Sequence, residues 1–175
     1  DMTPQNIVGM ATLTGLDVIA ITDHNACGNA DAVKKAAEKA DGPIVLCGAE
    51  ITTSEDVHAV VLFKDFDSCR KCLDKIGNTR MRIKNDPNVF GNQFFMDEND
   101  AVVGTEEDLL ITATGYSVDD LPRVAEEYGG VAFLSHVDKA ANGIIAILGA
   151  IDEKTEYASA EVSPRASKEL LNDLK

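Results

Sequence analysis

The chain has 175 residues, 45% of them hydrophobic and 26% charged, the proportions of one ordinary globular domain rather than a disordered or collagen-like chain. Its longest nearly unbroken apolar stretch, Gly143 to Ile151, falls far short of the roughly 20 residues that a membrane helix needs. Sixteen basic against 30 acidic residues give a net charge of −14, which repels phosphate backbones and argues against broad electrostatic binding of nucleic acid.

The elements follow in chain order. Thr3-Pro4 reads as a cap with proline at the first helical position, and the helix it opens stops at Gly15. Asp17 to Thr22 is a short apolar strand of the kind that is covered on both faces. A helix over 30–40 ends at Asp41-Gly42-Pro43, and a second strand runs from Ile44 to Thr52. Val57 to Phe63 is a third strand. Only Thr53-Ser-Glu-Asp56 separates it from the second, so the two form an antiparallel hairpin, because a parallel crossover needs about a dozen residues. A helix follows over 68–76.

Residues 77–108 differ in character. They are polar, broken by Gly, Asn and Pro, and contain a hairpin of 93–96 with 101–103 around Asp97 to Asp100. This stretch is expected to be an insertion or lid. Its acidic run matches a calcium loop only in charge, since Val102 stands where the loop glycine belongs. Arg80, Arg82 and Lys84 form a small basic cluster that reads as solvated loop or as a phosphate contact. Beyond it, Ser117-Val-Asp-Asp120 caps a helix that ends at Gly129-Gly130. Strand 131–135, helix 140–148, strand 158–162 and an amphipathic helix 167–175 complete the order. Alternating strands and helices predict an α/β fold with a largely parallel sheet.

The four cysteines, Cys27, Cys47, Cys69 and Cys72, have no signal peptide before them and suit a reduced, cytoplasmic protein. Cys69 and Cys72 have CxxC spacing without a second pair, which favours an inert pair over a redox or metal role. Cys27 lies close to His24, but nothing else supports a Cys/His nucleophile.

Three histidines carry the clearest chemical signal. His24 and His136 each stand just past an apolar strand, where α/β folds build their active face. A turn centred on Ser54 places Glu50 opposite His58 on one face of the hairpin. Glu50 also follows a buried strand, and a buried carboxylate is costly unless it is paired or bound to a metal. His24, Glu50, His58 and His136, with Asp23 adjacent, therefore form the candidate constellation. Mixed imidazole and carboxylate donors suit Zn, Mn or Fe, with Mg also admitted, and such sites hold more than one ion.

At these residues the sequence resembles the polymerase and histidinol phosphatase (PHP) superfamily. The likeness lies in Gly15 to Asn25 with its Thr22-Asp-His-Asn25 segment, in Gly48 to Thr52, in Glu55 to His58 and in Gly130 to His136. The resemblance implies a distorted (β/α)7 TIM-like barrel with two or three divalent metal ions at the strand ends. It implies phosphoester hydrolysis by a metal-bound hydroxide. By motif position His24, Glu50, His58 and His136 match metal ligands, with His24 and Glu50 taken as catalytic; Asp23 and Glu161 match outer positions. The superfamily's first and last motifs would lie upstream of Thr3 and beyond Lys175. The expectation is thus one PHP-like domain over 1–175, cut at both ends and lacking its first and last barrel strands. The expected activity is a metal-dependent phosphoesterase acting on a small phosphorylated substrate or nucleotide, with no bulk nucleic-acid or membrane partner. The alternative is a non-catalytic, metal-binding module that regulates or scaffolds a partner, as some polymerase accessory domains do.

Overall fold

The computed structural model describes residues 2–152, 154–157, 159–164, 166–168 and 171. The elements run in the order α1 (Pro4–Leu13), β1 (Val18–Ile21), α2 (Ala30–Lys39), β2 (Ile44–Thr52), β3 (His58–Phe63), α3 (Phe66–Gly77), α4 (Pro87–Phe90), β4 (Phe94–Met96), β5 (Val102–Thr105), α5 (Leu121–Glu127), β6 (Val131–Leu134) and α6 (Ile144–Leu148). The α/β class expected from the sequence is what the structure has.

The main sheet has the order β1-β2-β3-β6. Among the described residues it does not close into a barrel. Nor is its pairing mostly parallel: β1 and β2 pair in parallel, while β2–β3 and β3–β6 are antiparallel. The cause is the short hairpin. It reverses β3 and leaves it between β2 and β6, so one reversed strand turns two of the three pairings antiparallel. The expected strand over 158–162 appears only as a parallel bridge between Leu134 and Ala160, and most of the expected helix over 167–175 lies outside the described residues.

Alternation along the strands sorts residues onto two faces. Cys47, Ala49 and Ile51 pair with Phe63, Val61 and Ala59, and all six are buried against the helices. α2 presents Ala30, Val33 and Ala37 to this core, and α3 presents Cys69, Cys72, Leu73 and Ile76. The α3 set falls at i, i+3, i+4 and i+7, the spacing of a buried helical stripe. The CxxC spacing is thus core patterning. The Asp65 side chain accepts a hydrogen bond from the Ser68 amide and caps α3. A second apolar cluster of Val57, Val118, Leu134, Val137 and Ile144 lies where β3 begins and β6 ends.

The hairpin register differs from the expected one. Glu50 pairs with Val60 and Thr52 pairs with His58, because the Thr53 amide bonds the Val57 carbonyl and centres the turn on Glu55 rather than Ser54. Asp56 takes a positive φ of 63° to close it. A shift of two in the paired sum keeps Glu50 and His58 on the same face, now as diagonal neighbours.

β4 and β5 form the separate two-stranded sheet expected around Asp97 to Asp100. It packs onto the loop between β1 and α2. Met96 donates its amide to the Asn29 side chain, and a Cβ on Gly28 would overlap the Phe95 ring. No helix among the described residues is long and apolar enough to cross a membrane.

Candidate metal centre

Four segments meet at one end of the sheet. β1 and β6 run toward it, so the residues just past them, His24 and His136, arrive there. β3 runs away from it, so its first residue, His58, sits at the same end. Glu50 reaches it near the end of β2. Backbone hydrogen bonds fix this convergence: Asn25 N–H donates to Glu50 O at 2.9 Å, Glu50 N–H to Asp23 O at 3.1 Å, and Ser135 N–H to His58 O at 3.1 Å.

The Glu50 carboxylate lies at the middle of three imidazoles. Its Oε1 is 3.4 Å from His58 Nδ1 and 3.3 Å from His136 Nε2, and its Oε2 is 3.5 Å from His24 Nδ1. One donor atom from each of His24, Glu50 and His58 falls within 4.8 Å of the others, and His136 approaches the same carboxylate. The rings stand tilted, with centroids 5.1 Å apart for His24 and His58 and 5.4 Å for His58 and His136.

These spacings suit a cation. Bonds of about 2.1 Å at tetrahedral angles separate neighbouring donors by about 3.4 Å. His24 Nδ1 and His136 Nδ1 are buried without a hydrogen-bond partner, a costly state for an imidazole nitrogen that cation binding relieves at His24. Burial works to raise the Glu50 carboxyl, but the hydrogen bond and charge of His58 and the charge of His24 outweigh it and hold the group down at about 2. Burial lowers the His24 imidazole, against the opposing pull of Glu50. Both shifts keep the two groups in the deprotonated forms that ligate metals.

Asp23 and Glu161 stand outside this group. The Asp23 carboxyl is raised by burial and turns to the Asn29 side-chain amide at 3.5 Å, while its backbone carbonyl holds Glu50. Glu161 accepts the His136 amide at 3.2 Å through its side chain and the Val137 amide at 2.9 Å through its carbonyl. It therefore steadies the turn on which His136 takes an unusual φ of 28°.

Asn25 is the residue that sequence reasoning undervalued, quoting it only as part of a motif. It is buried with a φ of 49°. Its side-chain amide donates to Leu110 O at 2.6 Å and Thr112 O at 3.0 Å, and its side-chain oxygen accepts from Thr52 N–H at 3.2 Å. The signal available was its type: asparagine tolerates left-handed backbone, as the residue after a strand-end histidine must here. Arg80 of the basic cluster is buried and bonds the Leu110 carbonyl, and Arg82 pairs with Asp108, so these two are occupied structurally. A cleft of about 270 Å³ beside His24 is walled by Asp23, Phe94, Phe95 and Ile111.

No family model matches the sequence. No curated protein matches it either. Solved structures do. A proposed metal-dependent phosphoesterase from Bifidobacterium adolescentis aligns over 98% of this chain and 77% of its own length, at 16% identity and a TM-score of 0.58. The lesion-specific Endonuclease Q from Pyrococcus furiosus aligns over 97% of this chain at 13% identity and a TM-score of 0.65, and Endonuclease Q bound to a 27-mer duplex with an abasic lesion aligns over 90% at 14% and 0.53. The chain spans 39% and 35% of those two endonucleases. The fold is therefore shared with these solved structures.

One expectation is corrected by this likeness. Net charge was taken to argue against bulk nucleic-acid binding, yet the same fold serves an enzyme with a DNA duplex at its active site. The charge of −14 belongs to the whole surface, whereas phosphate is met locally, where bound cations outweigh a distant acidic field.

Proposed function

We propose that the chain is the catalytic part of a metal-dependent phosphoesterase, its sheet a section of a distorted PHP-type barrel, with His24, Glu50, His58 and His136 as metal ligands. The observation that carries this reading is the single carboxylate set between three imidazoles at 3.3–3.5 Å. The fold shared with a proposed phosphoesterase and with Endonuclease Q supports it.

Divalent ions at this cluster, two or three of the Zn, Mn or Fe type, would supply a hydroxide nucleophile at neutral pH and positive charge for the phosphoryl oxygens. Glu50, with its two oxygens facing different histidines, holds the set together. Asp23 and Glu161 orient it, the first through its carbonyl to Glu50 and the second through the His136 amide. The hairpin of β4 and β5 acts as a lid, since Phe94 and Phe95 wall the cleft beside His24. The substrate is a phosphoester that enters along this cleft, either a small phosphorylated compound or a nucleotide unit.

The test is hydrolysis of an aryl phosphate, an aryl phosphodiester and a DNA duplex by metal-loaded protein, with elemental analysis of the same samples. The expected result is cleavage of at least one substrate that a chelator stops, with more than one ion per chain. Glu50→Ala and His24→Ala are each expected to lose both metal and activity. Full activity in either variant would refute the assignment.

A further inference from the structure

Behind β2, on the helix-facing side of the sheet, three sulfurs meet. Cys47 projects from β2, Cys69 from the buried stripe of α3, and Cys27 from the loop that carries His24; their Sγ atoms all lie within 4.8 Å of one another. Four sulfurs bound to zinc at about 2.3 Å stand about 3.8 Å apart, so the trio has the dimensions of three corners of a thiolate site. A disulfide would use two of these sulfurs and leave the third without a purpose. Cys72, one helical turn along α3, directs its thiol to the Val124 carbonyl and is not part of the group.

We propose that Cys27, Cys47 and Cys69 form a binding site for a thiophilic divalent cation of the zinc class, separate from the imidazole and carboxylate cluster, which ties the His24 loop to β2 and α3. Each thiol releases its proton to solvent as its sulfur bonds the cation. Cys47 and Cys69 are buried, while Cys27 is half-buried and lines a cleft of about 330 Å³ with Arg70, Arg80 and Phe95, which provides the way in. The Arg70 guanidinium, paired with Asp31 and Asp67, favours a thiolate at Cys27, and the Asp31 carboxylate opposes it. The hydrogen bonds that Cys47 and Cys69 direct at Cys27 already hold its thiol below the ordinary range. Two residues separate His24 from Cys27, so one short loop would be anchored at both clusters, one on each face of the sheet.

Cadmium is the probe, because its thiolate bonds give an ultraviolet charge-transfer band that imidazole and carboxylate ligands do not. The full chain, stripped of metal and kept reduced and oxygen-free, is titrated with Cd(II). The expected result is a band that saturates at one equivalent, is displaced by Zn(II), survives in His58→Ala and disappears in Cys27→Ser. Far-UV circular dichroism confirms that Cys27→Ser is folded; its side chain is only half-buried, which favours that outcome. Alkylation of Cys27 in the wild-type chain gives a second readout that needs no variant, and Zn(II) is expected to slow it several-fold. No cadmium–thiolate band in the wild type, a band that persists in folded Cys27→Ser, or alkylation indifferent to Zn(II) would each overturn the proposal.

Discussion

Replacing Asn25 with alanine removes one side chain that joins three segments. Two donor contacts, to the Leu110 and Thr112 carbonyls, and one acceptor contact, from the Thr52 amide, are lost together. Each such bond contributes about 1 kcal/mol net, and Asn25 is buried, so water does not freely replace them. Alanine must also adopt a φ of 49°, which costs about 1 kcal/mol more than it costs asparagine. The expected loss is about 4 kcal/mol, a large share of the 5–15 kcal/mol that holds a domain folded. Urea unfolding followed by circular dichroism measures it. Asn25→Gly separates the two contributions, because glycine accepts the positive φ and leaves only the hydrogen-bond deficit of about 3 kcal/mol. A loss below about 1 kcal/mol in Asn25→Ala would show that the side chain does not bind these segments together, and equal losses in both variants with a preserved slope would refute the backbone contribution.

Gly130→Ala places a methyl group in the ring of Phe63, which is buried; thermal unfolding should show a loss of about 1–3 kcal/mol. Gly28→Ala meets the Phe95 ring instead, which is half-buried and turns aside, so its cost should be the smaller of the two. Burial raises the Tyr157 hydroxyl above its ordinary range, and it donates to the Val118 carbonyl at 2.7 Å. A raised folded-state value means that this contribution is intact below the ordinary tyrosine value of 10.0 and is lost as pH rises above it, so the stability of Tyr157→Phe should be lower at neutral pH and fall less steeply in alkali. In metal-free protein, Glu50 is held low, so its contribution is present above the ordinary 4.5 and fades as pH falls toward 2. His58→Ala removes the partner that opposes burial, and an NMR titration should find the Glu50 carboxyl moved up.

The elements were legible because their signals are local. Apolar runs ended by Gly, Pro and Asp gave the helices and strands, and the polar chemistry of 97–100 marked the small hairpin. The convergence of His24, Glu50 and His58 was legible for a different reason: side-chain parity survives a register error of two, so Glu50 and His58 share a face under either turn centre. Sheet direction was not legible. Whether β6 docks beside β3 or elsewhere depends on contacts between Leu62 and Val131 or Ala59 and Leu134, residues some 70 positions apart whose pairing leaves no local trace. Closure into a barrel was expected from likeness rather than from pattern, and the described sheet stays open. The Cys69 and Cys72 spacing carried no trace of the three-sulfur group, since the sulfur neighbours of Cys69 come from a loop and a strand, not from its own helix.

β2 carries sulfur chemistry at Cys47 on one side and carboxylate chemistry at Glu50 on the other, three residues apart and so of opposite parity. A slip of this strand by a single residue would thrust a carboxylate among apolar helices and leave the imidazoles facing hydrocarbon. The two chemistries thereby proofread strand placement: a misaligned nascent sheet is penalised on both sides at once, before any substrate is ever met.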